Sequence, residues 1–339
     1  MTAPPRTVTV QDHAIAWRGT TYPCRLVTPC TADHAVPVLV LGGGLQDRHS
    51  WARLERHLAD RHPLLIPDLP SAGPPGGGAV GPDGRRHPDL SWDDLTDAAL
   101  RAPDHLGIER FATLGVSSGY PIAYRLAQDH PARVTHLMIF GAAPRPGARL
   151  TALIHEGLRR EADSRQGHRD RHVDRHVDQA ALQGPCAGRT ARPRTLAAPA
   201  SHREAAEQLV GLLTNPRAGR RVLMIRAAAR VLLNQLTSSA QDPLVRYVRD
   251  RGHLLLDGLL PPGGIRRTPA LVGVGEHDTI TTVADNRAVA GTITDVTFAV
   301  MEDADHLLHM ERDRDFADLI GRFLHQQPLT TPGTTALRL

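Results

Sequence analysis

The sequence predicts an α/β fold, a mostly parallel sheet with helices on both faces, interrupted by an inserted block of helices. Three observations predict it. Apolar runs short enough for strands alternate with amphipathic stretches from residue 36 to residue 140, and such alternation builds parallel strands joined by crossover helices. The strand signal then vanishes between Pro144 and Arg267, where helical spacing replaces it, and it resumes from Thr268. One apolar run ends in Gly42-Gly43-Gly44 and another in Gly115-Val116-Ser117-Ser118-Gly119, so the chain turns sharply at two strand ends.

Taken in order, Arg6 to Val10 and Ala14 to Arg18 read as an opening hairpin, with Tyr22 to Val27 a further extended piece. Val36 to Leu41 is continuously apolar, as a strand buried on both faces should be. Trp51 to Leu58 is an amphipathic helix, Leu64 to Ile66 a short strand, and Ser71 to Pro88 a Gly/Pro-rich loop. Ser91 opens the next helix with Asp93 and Asp94 in its first turn, where capping and the helix dipole favour them. Phe111 to Val116 and Val134 to Phe140 are strands flanking a helix over Pro121 to Ala127.

The inserted helices are expected at Leu150 to Arg160, Asp170 to Leu182, Glu204 to Leu213, Val222 to Leu236 and Leu244 to Leu256, with a low-complexity break from Gln183 to Ser201. The core pattern then returns: strand Ala270 to Val274, helix Val283 to Ala290, strand Val296 to Met301 and a last helix from about Phe316 to Leu324. Residues 331–339 are expected to be a flexible tail.

Composition narrows the partners. With 41% apolar and 22% charged residues, the chain can bury a substantial core. Its net charge of +4 does not imply nucleic acid: every basic residue is Arg, they are spread along the chain, and no basic stripe or stacking aromatics accompany them. Arg in place of Lys, with abundant Ala, Gly and Pro, is the composition of a GC-rich genome. No run of about 18 apolar residues occurs and the start lacks a signal-peptide pattern, so the expected setting is cytoplasmic, away from membranes. Cys24, Cys30 and Cys186 lack metal-ligand spacing and read as reduced thiols.

The chemistry sits at the strand ends. Gly115 to Gly119 fits G-x-S-x-G with a strand before it and a helix after it, so Ser117 projects from a tight turn as a candidate nucleophile. Shifting the frame to Ser118 puts Val116 and Tyr120 where glycines belong. A serine hydroxyl needs a base, and the base needs an orienting acid. Gly275-Glu276-His277-Asp278-Thr279 follows a buried strand and offers Asp278, with Glu276 as the fallback. Past the last parallel strand, His306 is preferred over His309 because it lies nearer the strand end. Position does this selecting among 19 histidines. The backbone N–H groups of Gly44 and Ser118 are the candidate oxyanion donors. Gly43, Leu45, Tyr120 and Leu232 are the candidate pocket residues, Leu232 from a helix whose apolar face otherwise packs the insertion.

With these motifs in the order nucleophile, acid, base, the chain resembles the α/β-hydrolase superfamily, and within it the serine esterase and thioesterase-like branch with a helical cap. The resemblance implies an eight-stranded, mostly parallel sheet, with core residues 1–143 and 268–330 and a cap or lid over 144–267. It implies hydrolysis of an ester or thioester of a small-to-medium hydrophobic acyl group through an acyl-enzyme. No cofactor or metal is expected. The partner is a small-molecule substrate, carrier-bound acyl thioesters included. Many relatives have His-Gly where Gly42-Gly43 stands and a glycine at Tyr120, neither of which removes a backbone donor. Epoxide opening and halide displacement need a carboxylate nucleophile, against which Ser117 argues. The same fold also hosts cyclases, acyl transferases and C–C bond lyases of natural-product assembly, and that alternative stays open. His168, His172 and His176 share a helical face but read as part of an exposed Arg/His/Asp-rich helix, and Gly76 to Gly84 lacks a phosphate-binding pattern.

Overall fold

Val8–Trp17 (β1) is one unbroken strand that pairs antiparallel with Thr20–Pro29 (β2), Trp17 opposite Thr20. The expected hairpin inside β1 is therefore misplaced. The turn is Arg18-Gly19, both with positive φ (43° and 77°), which is the backbone of a two-residue hairpin loop. The structure is a computed structural model that describes residues 8–30, 35–70, 90–163, 202–239, 242–250 and 252–339. The loop at Ser71 to Pro88, the helix at Asp170 to Leu182, the stretch Gln183 to Ser201, Cys186 and the histidines 168, 172 and 176 lie outside the described residues.

Beyond the hairpin, the first half runs Val38–Leu41 (β3), Ala52–Leu58 (α1), Leu64–Pro67 (β4), Trp92–His105 (α2), Phe111–Val116 (β5), Tyr120–Asp129 (α3) and Val134–Phe140 (β6). Helix α2 starts as expected: the Ser91 side chain accepts from the Asp94 N–H and the Asp94 side chain accepts from the Ser91 N–H. Between β6 and β7 every described regular element is helical: 148–163 (α4), His202–Leu213 (α5), Pro216–Gly219 (α6), Leu223–Ser238 (α7), Pro243–Asp250 (α8) and a 3₁₀ turn over Gly252–Asp257. The single helix expected at Leu244 to Leu256 is thus two pieces, and Gly252 stands at the break, where its backbone freedom disfavours a helix interior. Ala270–Gly275 (β7), Val283–Ala290 (α9), Val296–Met301 (β8), Leu308–Glu311 (α10), Asp313–Leu324 (α11) and Thr334–Arg338 (β9) complete the chain.

The described sheet has nine strands in the order β1-β2-β4-β3-β5-β6-β7-β8-β9, with β4 through β8 parallel. The additional strand corrects the expected flexible tail: residues 334–338 pair antiparallel with β8, Thr297 opposite Arg338. Its sequence, TTALR, buries only Thr334 and leaves Leu337 exposed, so an edge strand of this kind carries almost no hydrophobic signal.

Alternation along each central strand splits the core in two. Val38, Val40, Leu114, Met138 and Phe140 face α1 and α11, while Leu39, Leu41, Leu137 and Ile139 face α2 and α3. The order of connections matters most for function. From β3 the chain steps outward to β4, then crosses back to β5 on the other side of β3. The β3 and β5 carboxyl ends flank that reversal, and a crevice opens there because their following loops diverge to opposite faces.

Candidate active site

Strand β5 is buried along its whole length and delivers Ser117 at its end. Ser117 has φ +51°, a left-handed conformation that a side-chain-bearing residue adopts only at a cost of about 1–3 kcal/mol. The flanking glycines explain why no other pattern serves. A Cβ at Gly115 would sit 2.7 Å from Ala123 Cβ and Tyr120 Cα, and one at Gly119 would sit 2.1 Å from the Leu41 carbonyl oxygen. Strand, turn and helix approach too closely there for any side chain, and that closeness thrusts Ser117 into the crevice. Tyr120, where many relatives have glycine, turns its ring into the core and donates its hydroxyl to the Ala143 carbonyl.

The candidate base and acid arrive from the ends of β8 and β7, the last two parallel strands, beyond β6 in the sheet. The loop after β8 carries His306, whose Nε2 lies 3.0 Å from Ser117 Oγ. The loop after β7 carries Asp278, whose Oδ2 lies 2.8 Å from His306 Nδ1. Asp278 is fully enclosed and every lone pair is used: Oδ1 accepts from the backbone N–H groups of Ile280 and Thr281 at 2.9 Å, and Oδ2 also accepts from Thr281 Oγ1 at 2.7 Å. Burial alone would raise its pKa, but the charge of His306 and these hydrogen bonds reverse that, and the carboxyl is held below its ordinary value. Burial likewise pushes His306 down, while the Asp278 charge and hydrogen bond outweigh it and raise the imidazole above its ordinary 6.5. The carboxylate keeps the proton on Nδ1, which leaves Nε2 to accept from the Ser117 hydroxyl.

Glu276, the fallback acid, is exposed and accepts instead from the Asp303 N–H at 3.2 Å. His309 does not approach Ser117. Its Nε2 lies 2.7 Å from Gln46 Nε2, and burial drives its pKa down to about 3, so the ring is neutral. Gln46 in turn accepts from the Gly43 N–H through Oε1 at 2.6 Å, which fixes its amide to donate to His309. Gly43 is thereby engaged, and among the described residues nothing accepts from the Gly44 N–H. Gly44 and Ser118 face the crevice from the two sides of the strand reversal.

Two cavities meet at Ser117, one of about 250 Å³ and one of about 30 Å³. Gly43, Leu45 and Leu232 line the larger and Tyr120 the smaller. The sequence does not single out Gln46, Thr281 or Tyr247, and it marks Leu213 only as part of an apolar helix face that mostly packs the insertion. Gln46 and Thr281 carry no motif, and the two insertion residues reach the site only through folding. Glu276, His277 and Asp303 put ligand-type atoms within 4.8 Å of one another, but Glu276 and Asp303 are exposed, and the contacts of Glu276 with His277 and with the Asp303 N–H account for the grouping. Among the described residues no helix is long and apolar enough to cross a membrane.

A second buried group braces the His306 loop. Glu311 accepts from the Asp305 N–H at 2.5 Å, and Asp305 accepts from the backbone N–H of Asn215, whose side chain donates to the His277 carbonyl at 3.0 Å. Burial raises Asp305 to about 6 and Glu311 to about 8. An unfolded chain releases these protons near the ordinary 3.8 and 4.5, so between those values and about 8 the folded state binds more protons, and stability falls as pH rises. His309 acts in the opposite direction, but only up to its ordinary 6.5. The melting temperature should therefore decline from about pH 6.5 to 8. Glu311→Gln, which keeps the acceptor, should flatten that decline, and equal slopes in the two proteins would contradict the assignment.

A family model for the alpha/beta hydrolase fold matches residues 36–313, and the chain belongs to that family. A probable proline iminopeptidase from Streptomyces coelicolor is 33% identical over 129 residues, 38% of this chain and 39% of that protein. A homoserine O-acetyltransferase from Thermus thermophilus is 38% identical over 74 residues, 22% of this chain and 20% of that protein. These matches span well under half the length of either relative. Among solved structures, the enol-lactonase from Burkholderia xenovorans LB400 superposes with a TM-score of 0.63 at 18% identity, over 93% of this chain and all of that one. The meta-cleavage product hydrolase from Pseudomonas fluorescens IP01 gives 0.61 at 15% identity, over 93% and 97%. Hydrolases among the relatives support an enzymatic role.

Proposed function

We propose that the protein is a serine hydrolase acting on an ester or thioester, free or carrier-bound, with Ser117 as nucleophile, His306 as general base and Asp278 as the orienting acid. The observation that carries this reading is the continuous hydrogen-bonded chain from Ser117 Oγ through both imidazole nitrogens to a fully bonded, buried carboxylate. Ser117 attacks the carbonyl carbon as its proton passes to His306 Nε2. The N–H groups of Gly44 and Ser118 stabilise the oxyanion, each worth about 3–4 kcal/mol in comparable sites. The imidazolium, stabilised by Asp278, then protonates the departing alcohol or thiol, and water, deprotonated by the same nitrogen, releases the acid.

His306 must be neutral to accept that proton, and its pKa lies above 6.5. Turnover should therefore be low in mildly acidic solution and climb with pH through a midpoint above that value. A pH–rate profile of kcat/KM checks it, and an acid optimum would contradict it.

A second reading, transfer of the acyl group to an acceptor other than water, is favoured by the likeness to homoserine O-acetyltransferase. Cyclisation and C–C cleavage belong to the same alternative. Incubation with a panel of acyl esters and thioesters, with and without alcohol acceptors, separates them: free acid as the main product supports hydrolysis, and a new ester supports transfer. Turnover that survives Ser117→Ala would favour chemistry without a covalent intermediate.

A further inference from the structure

The two cavities share four lining residues: the reacting pair Ser117 and His306, and Leu213 and Tyr247 from the helical insertion. Tyr247, on α8, is 4% exposed. Its ring is wedged between two glycines. A Cβ at Gly44 would lie 2.6 Å from Cε2 and 2.8 Å from Cδ2, and a Cβ at Gly252 would lie 3.0 Å from Cδ1 and Cε1. One edge of the ring thus rests on the loop after β3 and the other on the insertion itself, and neither side has room for anything larger than hydrogen. A ring held at both edges in a close-packed interior is a fixed wall.

We propose that Tyr247 is a specificity-determining residue that partitions the pocket at Ser117 and limits the acyl group to two or three carbons. This rests on the serine-hydrolase reading above. The smaller compartment is lined by Tyr120, Leu150, Leu255, Leu259 and Ile280, so it suits an alkyl group, and at about 30 Å³ against about 250 Å³ it has room for a short one only. The larger compartment, about 250 Å³, mixes apolar walls from Leu45, Leu232 and Met310 with the polar groups of Gln46, Arg53 and Gln235, and has the room to hold the alcohol or thiol as it departs. The substrate class is an acetyl-sized or propionyl-sized ester or thioester of a larger alcohol or thiol with apolar as well as polar parts.

The test is kcat/KM for acetyl, propionyl, butyryl and hexanoyl esters of one alcohol, measured on wild type, Tyr247→Ala and Tyr247→Phe, alongside labelling of Ser117 by a small ethyl fluorophosphonate. Wild type should favour acetyl or propionyl over hexanoyl by tenfold or more, a size discrimination ordinary for a closed apolar pocket. Tyr247→Ala should lessen that ratio by about tenfold, while Tyr247→Phe, which keeps the ring, should retain it. Tyr247→Leu repeats the measurement if the alanine variant does not fold, with partial relief expected. An unmoved ratio in a folded, fluorophosphonate-labelled alanine variant, or a wild type that favours hexanoyl, overturns the wall. Ratios that shift as expected with no label on Ser117 overturn the nucleophile instead and leave the wall standing.

Discussion

Ser117→Ala should reduce kcat by about 10⁶-fold while leaving KM within a few-fold and the melting temperature close to wild type. The size of the effect follows from the arrangement. In the attack step His306 accepts the Ser117 proton and Asp278 acts only through His306, so removing the hydroxyl idles all three groups together. What survives should be about 10³–10⁴-fold over the uncatalysed reaction, supplied by substrate binding and the backbone donors at Gly44 and Ser118. Folding should not suffer, because alanine removes one half-buried oxygen and leaves the carbons against Gly43. Relief of the His306 hydrogen bond leaves Nε2 facing the cavity, where water can reach it. A loss below tenfold would mean that the reaction does not pass through this oxygen.

Asp278→Asn should reduce kcat by about 10⁴-fold, and the structure specifies how. Two backbone donors, Ile280 and Thr281, hold Oδ1 at 2.9 Å, so the amide oxygen of the asparagine must stay there. Its NH₂ then takes the place of Oδ2, 2.8 Å from His306 Nδ1. An amide donating to Nδ1 forces the imidazole proton onto Nε2, which now points a hydrogen at Ser117 and cannot accept one. The side chain has the same volume and its bonds are largely kept, with the Thr281 hydroxyl rotating away from donation. The variant should fold, bind substrate and react slowly with fluorophosphonate. The contrast with Ser117→Ala is that labelling is retarded rather than abolished. Equal labelling rates in wild type and Asp278→Asn would show that the carboxylate does not orient the base.

The legible parts of the sequence were those where burial leaves one solution. Strands β5, β6 and β8 stand where their largely apolar runs put them, and Ser91 with Asp94 marks the α2 start to the residue. Ser117 was readable because Gly115 and Gly119 answer to contacts under 3 Å that no other residue satisfies. His306 and Asp278 were readable from strand order, since parallel strands end on one edge and their loops converge. Harder cases depended on neighbours distant in the chain. β9 gains its place from hydrogen bonds to β8, to which TTALR contributes little apolar surface. The Arg18-Gly19 turn shows that a hairpin is set by its φ > 0 pair more than by the apolar runs beside it. Gln46 and Tyr247 could not be chosen from sequence at all. One matters through a glutamine amide spanning Gly43 and His309, the other through a ring placed by Gly44 and Gly252, and neither pairing leaves a spacing to read.

The most direct measurement is intact-mass spectrometry with peptide mapping after brief exposure of the folded protein to a fluorophosphonate. One adduct is expected, on Ser117, formed at a rate that rises with pH as His306 loses its proton. Folded protein that gains no mass, or that carries the adduct on Ser118 or Ser50, would contradict it.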